Sequence, residues 1–523
     1  MGRIVLRLAA TRAAHLFRER PIAAAVTCFV VLSGFHWLPF ARMAPLGAYN
    51  DDAHYYLAAT GIAESGKFVN LCLPGYPPQI AYAVGYPLLI APLIKLFPHS
   101  TAPISFLHLC VFAVSAGLVA FLAFRTLLFT DALIAVSWWF TGTLPSFIAG
   151  AFMSDIPYLA ASLTPFALLE CAEVGHAAAI GIALSAAAAV LIRPLGLLLI
   201  PAVALHAGLK RTRPEAVRIL GWSAAIFAAA AAASLALSGF RGFASLFVPE
   251  ALVRGLLPVP ISADMPRFTY LALLVKSNCI YYADAVLNVL VLPVRPVQLS
   301  PACLPLLWFL RILWLPAFAT GCWIQLRRRD GLTIYGALYS IFLLCWFLVD
   351  LRYLIPLRPL ILILTLAGFR FWEERRRWAR TAKHVFLAAA VYLGAADVMI
   401  QWKYPPQIDE PKYSWISAHT EPDARIADEI DGTLRLYTRR FAYAYPWDSR
   451  LSPREIIDAL LAGGVRYFVV YPELAIVQPT DLQIREAWHQ RQRGAVYAEL
   501  QAARDFELVF ESKFSRVYKL RAP

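Results

Sequence analysis

The strongest constraint on this chain is a series of apolar runs close to the length that crosses a bilayer. Residues 21–40 form one. Others cover roughly 102–124, 127–148, 156–172, 177–192, 195–209, 216–238, 303–325, 332–349, 353–369 and 384–401. About 20 apolar residues wound as a helix cross a hydrocarbon layer about 30 Å thick. A helix also satisfies every backbone hydrogen bond internally, which lipid demands. Composition agrees: 59% of residues are hydrophobic and 16% are charged, against about 25% charged in soluble domains. The expected fold is therefore mainly α, a polytopic membrane domain of about eleven spans over residues 1–401, followed by a different kind of domain over 402–523.

Charge sets the expected sidedness. The net charge is +14, yet Trp402 to Pro523 carries 17 basic and 17 acidic residues, so the whole excess lies in the membrane part. The N-terminus, MGRIVLRLAATRAAHLFRER, holds five arginines and no convincing cleavage site follows, so 21–40 is read as an uncleaved first span with a cytoplasmic N-terminus. Alternating the loops from there puts Lys210/Arg211/Arg213, Arg327–Arg329 and Arg375–Arg377 all inside. The exterior, read as the periplasm of a bacterial inner membrane, receives residues 41–101, the 149–155 loop, Arg193, the 239–302 segment, Asp350/Arg352 and everything after about 402. Positive charge placed this way is a topology signal rather than a folded basic face, and it argues against a nucleic-acid partner. The eight cysteines are scattered without a CxxC, which argues against a disulfide framework or zinc ribbon. Only a Cys72–Cys279 bridge is left open.

The tail alternates charges where the rest does not. SPREIIDALLAGGVRYFVVYP reads as a helix with a Ser452/Glu455 capping box, a stop at Gly463-Gly464 and a buried strand. A further helix near 480–503 and strands near 506–510 and 515–520 complete a small α/β domain.

The first exterior loop opens with YNDDAHYY. Asp51 and Asp52 stand beside His54 and Tyr55. An exposed acidic pair is ordinarily just solvated, but apolar residues 84–97 are too short to span and suit an interfacial helix with Lys95 snorkelling, which would hold the loop at head-group depth. Asp155 in AFMSDIPYLAASL stands at the mouth of a span, where a helix cap is the ordinary role. Arg193 in VLIRPLGLLLIP interrupts two apolar runs, either exposed at a loop tip or functional. Arg352 in LVDLRYLIPLRPL has Asp350 two residues away as a local partner. Lys276 in the long exterior segment is a weaker candidate. Exterior carboxylates with exterior cations at a membrane surface suit one chemistry: a guanidinium or ammonium holds the phosphate of a lipid-linked sugar, and a carboxylate takes the proton from an attacking hydroxyl. Asp51, Asp52 and His54 are also types that ligate a divalent metal, although three sequence neighbours seldom reach one ion. His54, three residues after Asp51 on one helical face, is read instead as a hydrogen-bond partner of an aspartate.

The order of these motifs resembles the GT-C superfamily of polyprenyl-phosphate-sugar-dependent glycosyltransferases, in particular bacterial members related to protein O-mannosyltransferases and to the lipid A aminoarabinose transferase. NDDAHYY follows the first span. YPPQIAYAVGYPLLIAPLIKLF, MSDIPYLAASL, LIRPLGLLLIP and RYLIPLRPLILIL come next, and EPDARIADEI and GGVRYFVVYP lie in the tail. The resemblance implies a GT-C membrane domain and an inverting transfer with Asp51 as general base, Asp52 as the alternate and Asp155 as the second-loop acid. It makes Arg193 and Arg352 phosphate contacts. His54, Tyr55 and Lys276 are carried as substrate-binding candidates. The implied partners are a polyprenyl-phosphate sugar donor, membrane lipids and a periplasmic acceptor that is a protein, a lipid or a glycan. QIAYAV separates PP from GYP where relatives run the prolines straight on, so either aspartate is left able to face the substrate. Three other readings stay open: a secondary transporter, a surface-polysaccharide polymerase or ligase, and an inactive GT-C-like assembly subunit.

Overall fold

The computed structural model describes residues 45–140, 151–170, 174–244, 267–287, 304–346, 350–403, 408–446, 451–471 and 484–521. The expected first span at 21–40 and much of the 239–302 segment lie outside the described residues. Four described helices are long and apolar enough to cross a membrane: Ala102–Thr126, Arg213–Leu237, Trp308–Arg327 and Leu351–Glu373. Shorter apolar helices accompany them, and the chain is a multi-pass membrane protein.

The membrane part begins with two helices of the first loop, α1 (Asp51–Ser65) and α2 (Gly85–Leu96). The bundle follows as α3 (Ala102–Thr126), α4 (Phe129–Phe140), α5 (Asp155–Leu169), α6 (His176–Ile192), α7 (Leu199–Lys210), α8 (Arg213–Ala244), α9 (Arg267–Ala285), α10 (Leu304–Arg327), α11 (Gly331–Cys345), α12 (Arg358–Glu373) and α13 (Arg377–Lys403). α2 occupies the stretch read as interfacial. Tyr86, Ile90 and Ile94 are buried on one side, while Leu88, Leu89 and Leu96 are exposed. Exposed Phe106, Trp308, Ile312, Leu315 and Ile341 on the bundle are what lipid-facing positions look like. The expected interruption at Arg193-Pro194 is present. Arg193 is extended (φ −149°, ψ 135°), as a residue before proline prefers, and a 3₁₀ turn over Pro194–Leu198 leads into α7. A second 3₁₀ turn, Leu351–Leu357, precedes α12 and begins at Asp350, whose side chain accepts from the Arg352 backbone N–H.

The C-terminal domain holds α14 (Glu410–His419), β1 (Arg425–Ala427), α15 (Asp431–Thr438), β2 (Phe441–Tyr443), α16 (Pro453–Ala462), β3 (Tyr467–Val470), α17 (Ile484–Ala502), β4 (Phe506–Glu511) and β5 (Arg516–Leu520). Its sheet runs β2-β1-β3-β5-β4. β1 pairs parallel with β2 and β3, and β5 pairs antiparallel with β3 and β4. The anticipated capping box closes α16: the Glu455 N–H donates to Ser452 Oγ and the Ser452 N–H donates to Glu455 Oε2. Gly464, at φ 78°, turns the chain into the wholly buried YFVV strand; a non-glycine residue strains in that region. The domain docks on the first loop. The Ala442 N–H donates to the Cys72 carbonyl at 2.9 Å, and Leu57 and Cys72 share one apolar cluster with Ile416, Ile426, Leu434 and Val469.

Candidate active site

Four separated parts of the sequence meet at one end of the bundle. α1 supplies Asp51, which is partly exposed. Its Oδ1 accepts from the Tyr82 hydroxyl at 2.7 Å, and its Oδ2 lies 2.7 Å from Arg352 Nη1. Arg352 is anchored from its other edge, Nε to Asp350 Oδ2 at 2.7 Å. Three consecutive residues at the start of α5, Met153 to Asp155, then tie the rest together. Met153 Sδ lies 3.5 Å from Arg352 Nη1. Ser154 Oγ is shared by the Tyr55 hydroxyl at 2.9 Å and Arg193 Nε at 3.1 Å. Asp155 Oδ2 lies 2.8 Å from Arg193 Nη2.

Why the loop seats here is local. α2 begins at Gly85, against the end of α6: a Cβ on Gly85 would stand 2.5 Å from the Leu191 carbonyl carbon. Only glycine allows that approach, which seats the start of α2 on the end of α6 next to Arg193. Tyr55 locks the arrangement with edge contacts to Tyr82 and Tyr86, ring centroids 5.0 Å apart in each.

The electrostatics divide the two first-loop aspartates. Burial pushes the Asp51 carboxyl up, but the Arg352 guanidinium and the Tyr82 hydroxyl outweigh it and hold the group below the usual carboxylate range. Burial and the Asp51 charge push Tyr82 well above its ordinary value, so it remains a donor. Asp52 points the other way. It is 1% exposed and accepts from the backbone N–H groups of Gly47, Tyr49 and Ala53 at 2.7, 3.2 and 2.9 Å. Burial pushes it up to about 6 against those bonds. In this geometry Asp52 ties the loop and Asp51 faces the cluster.

Asp155 and Arg193 form a buried ion pair with spare capacity. The contact is ionic without hydrogen-bond geometry. Both Asp155 oxygens and Arg193 Nη1 are buried with no hydrogen-bond partner among the described residues. Leaving such groups unmade costs about 1–3 kcal/mol each, which marks a place where a polar ligand would be bound with gain. The Arg193 guanidinium also lies over the Tyr353 ring, 5.6 Å from its centroid.

The remaining candidates sit apart. His54 pairs with an aspartate as read, but with Asp431 of α15: Nε2 to Oδ1 is 3.0 Å, with both groups buried. Lys276 is exposed on α9, and among the described residues no contact draws it into the cluster. Asp51, Asp52 and His54 engage three different sets of partners and do not converge on one point for a metal. Among the described residues the group that does converge is His54, Cys72 and Asp431, whose donor atoms lie within 4.8 Å of one another. There Asp431 engages one ring nitrogen and the Cys72 thiol the other, Sγ 3.8 Å from Nδ1, so one ion could take all three only if the imidazole turned. Cys72 and Cys279 are both free.

Tyr82, Ser154 and Asp431 were not singled out from the sequence. Tyr82 lies inside the proline-tyrosine stretch that was noted, and its spacing said nothing of Asp51. Ser154 precedes the helix that Asp155 opens, a position whose ordinary role is a cap. Asp431 carries no local signal.

This geometry sits on a known architecture. ArnT from Cupriavidus metallidurans in its apo state aligns with TM-score 0.55 and 12% identity over 94% of this chain and 97% of that one. The same protein bound to undecaprenyl phosphate aligns with TM-score 0.53 and 13% identity over the same shares. The Archaeoglobus fulgidus oligosaccharyltransferase, in complex with Zn and sulfate, aligns with TM-score 0.55 and 12% identity over 85% of this chain and 67% of that one. The chain has the GT-C fold. No family model and no curated protein sequence matches it. The GT-C likeness is therefore carried by fold rather than by sequence, and it extends over the C-terminal domain as well as the bundle.

Proposed function

We propose that this chain is an inverting membrane glycosyltransferase, which moves a sugar from a polyprenyl-phosphate carrier to an acceptor on the periplasmic side of a bacterial inner membrane. The observation that carries the reading is the Asp51–Arg352 pair: a carboxylate and a guanidinium in contact at the end of the bundle, with Tyr82 fixing the carboxylate's other oxygen. The GT-C fold, in a neighbour that binds undecaprenyl phosphate, supports the donor class.

In the proposed reaction the donor phosphate takes Arg352 from Asp51, and the unsatisfied Arg193 Nη1 gives it a second cation. Loss of the Arg352 contact removes the charge that holds Asp51 low and makes its carboxylate a stronger base when substrate arrives. An acceptor hydroxyl then attacks the anomeric carbon from the face opposite the phosphate. The new C–O bond forms, the bond from carbon to phosphate oxygen breaks, Asp51 receives the hydroxyl proton, and polyprenyl phosphate leaves with the electron pair, stabilised by the guanidiniums. Asp155 orients Arg193. Tyr55 acts through Ser154, and Lys276 is assigned to donor or acceptor binding outside the cluster. A divalent ion, if bound, would be held by His54, Cys72 and Asp431 once the imidazole turned to offer both partners one nitrogen.

The test is transfer from a panel of radiolabelled polyprenyl-phosphate sugars by full-length protein in membranes, wild type against Asp51→Asn. Sugar release to an acceptor by the wild type, reduced by orders of magnitude in the variant, is expected. Equal transfer by both would remove Asp51 as base. Absence of transfer by the wild type with every donor would sink the reading and favour a transporter or an inactive subunit.

A further inference from the structure

The C-terminal domain reaches into the first loop at the residues flanking Asp51. Asn50, immediately before it, has a positive φ (φ 59°, ψ −52°) outside the left-handed helical region, and the Asp51 N–H reaches back to the Tyr49 carbonyl at 2.6 Å as in a γ-turn; such a backbone costs a non-glycine residue on the order of 1 kcal/mol or more and persists only where surroundings enforce it. Here they do. Asn50 Oδ1 accepts from the Gly432 N–H at 2.9 Å and the Thr433 N–H at 3.4 Å, and its Nδ2 donates to Asp431 Oδ1 at 3.3 Å. Asn50 thus caps the first turn of α15 from the other domain, satisfying amides that a helix start leaves unpaired. The Thr433 hydroxyl donates to the Gly47 carbonyl at 2.6 Å, and the Tyr437 hydroxyl donates to the Leu46 carbonyl at 2.8 Å.

A second arm runs through side chains. Asp431 holds His54, the His54 ring stacks on Tyr82 with centroids 5.1 Å apart, and the Tyr82 hydroxyl holds Asp51. The approach is close enough that a Cβ on Gly432 would stand 2.8 Å from His54 Cδ2 and 3.0 Å from Asn50 Oδ1.

We infer that Asp431 of the C-terminal domain is a positioning residue for Asp51, acting through the Asn50 cap and through the His54–Tyr82 stack. The catalytic role of Asp51 rests on the glycosyl-transfer reading above; the positioning does not. Seating of the C-terminal domain sets the conformation of the proposed base, so the domain and that carboxylate are mechanically tied.

The experiment compares full-length wild type, Asp431→Ala and Gly432→Ala in membranes by hydrogen exchange and by transfer kinetics. Both variants are expected to speed exchange at amides 46–54 by about tenfold or more while exchange in α3 and α12 stays at the wild-type rate. Where transfer is measurable, kcat falls about tenfold with donor KM within about twofold of wild type. In an Asp51→Asn background the same changes cost nothing further, because two residues acting as a unit are not additive. Unchanged exchange at 46–54 in both variants overturns the inference. A full multiplicative loss on top of Asp51→Asn overturns it too. Faster exchange together with no transfer by the wild type from any donor leaves the coupling standing and defeats the transferase reading instead.

Discussion

Asp51 Oδ2 and Arg352 Nη1 lie 2.7 Å apart, joining the first loop to the turn before α12. Arg352 bridges two carboxylates, since Asp350 holds its Nε. A guanidinium shared in this way can exchange one partner for a phosphate and keep the other as an anchor. Asp51→Asn keeps the shape and removes the base, so transfer should fall by roughly 10²- to 10⁴-fold with thermal stability close to wild type. Arg352→Lys should not restore the bridge, because an ammonium cannot present two edges. Its expected signature is a raised donor KM, read from initial rates over a donor series.

Much of this cluster was legible in the sequence, and the limits of that reading are physical. Asp51, Asp155, Arg193 and Arg352 all stood out as ionisable residues bordering apolar runs, where charge is costly. Their pairing was not legible, because it depends on loops that bring four distant segments together. Which of Asp51 and Asp52 faces the cluster is likewise a tertiary property. Neighbours on a helix point about 100° apart, so one of the two had to turn away, and the backbone N–H groups of Gly47 and Tyr49 decide that it is Asp52. A local Asp350–Arg352 pair and a wider role for Arg352 look exclusive in the sequence, yet the guanidinium holds Asp350 and reaches Asp51 at once. The tail's capping box, glycine stop and buried strand were readable because each is a local pattern. Asp431 was not, since docking between domains leaves no periodicity.

Asp52 should behave as a structural residue. Asp52→Ala would strand the Gly47, Tyr49 and Ala53 N–H groups, at about 1–3 kcal/mol for each that stays buried and unpaired, so a lower Tm in detergent is expected. Asp52→Asn keeps an acceptor and should lose less. Burial raises the folded pKa of Asp52 from 3.8 to about 6, so the folded state holds its proton more tightly than the unfolded chain does. Stability from this group falls as pH climbs between those values, and that slope should vanish in Asp52→Asn. An unchanged Tm in Asp52→Ala would contradict the assignment.

The Asp155–Arg193 pair is buried on both sides, 0% and 9% exposed. Removing one partner of such a pair typically costs about 3–5 kcal/mol, because the other charge is left uncompensated. Asp155→Asn and Arg193→Gln alone should each unfold markedly earlier on heating than wild type. The double variant should recover part of the loss while remaining inactive, since its proposed phosphate contact is gone. Additive destabilisation in the double variant would show that the two groups do not pair.

The His54–Asp431 contact makes domain seating depend on pH, with a definite sign. Burial alone would lower the His54 pKa, but the Asp431 carboxylate, with a smaller contribution from the Cys72 sulfur, carries it well above 6.5. The neighbouring Cys72 thiol is pushed up by burial and stays neutral, and the Asp51 carboxylate also favours the charged imidazole. A folded pKa above the unfolded one means that the stabilisation is complete below about 6.5 and is lost as pH rises through the folded value. Hydrogen exchange at amides 46–54 of the full chain should therefore be slow near pH 6, after correction for intrinsic rates, and should rise as the imidazole loses its proton. His54→Gln should flatten this dependence and leave exchange at one intermediate level. Protection that strengthens with rising pH in the wild type would reverse the sign and remove the ion pair from the account.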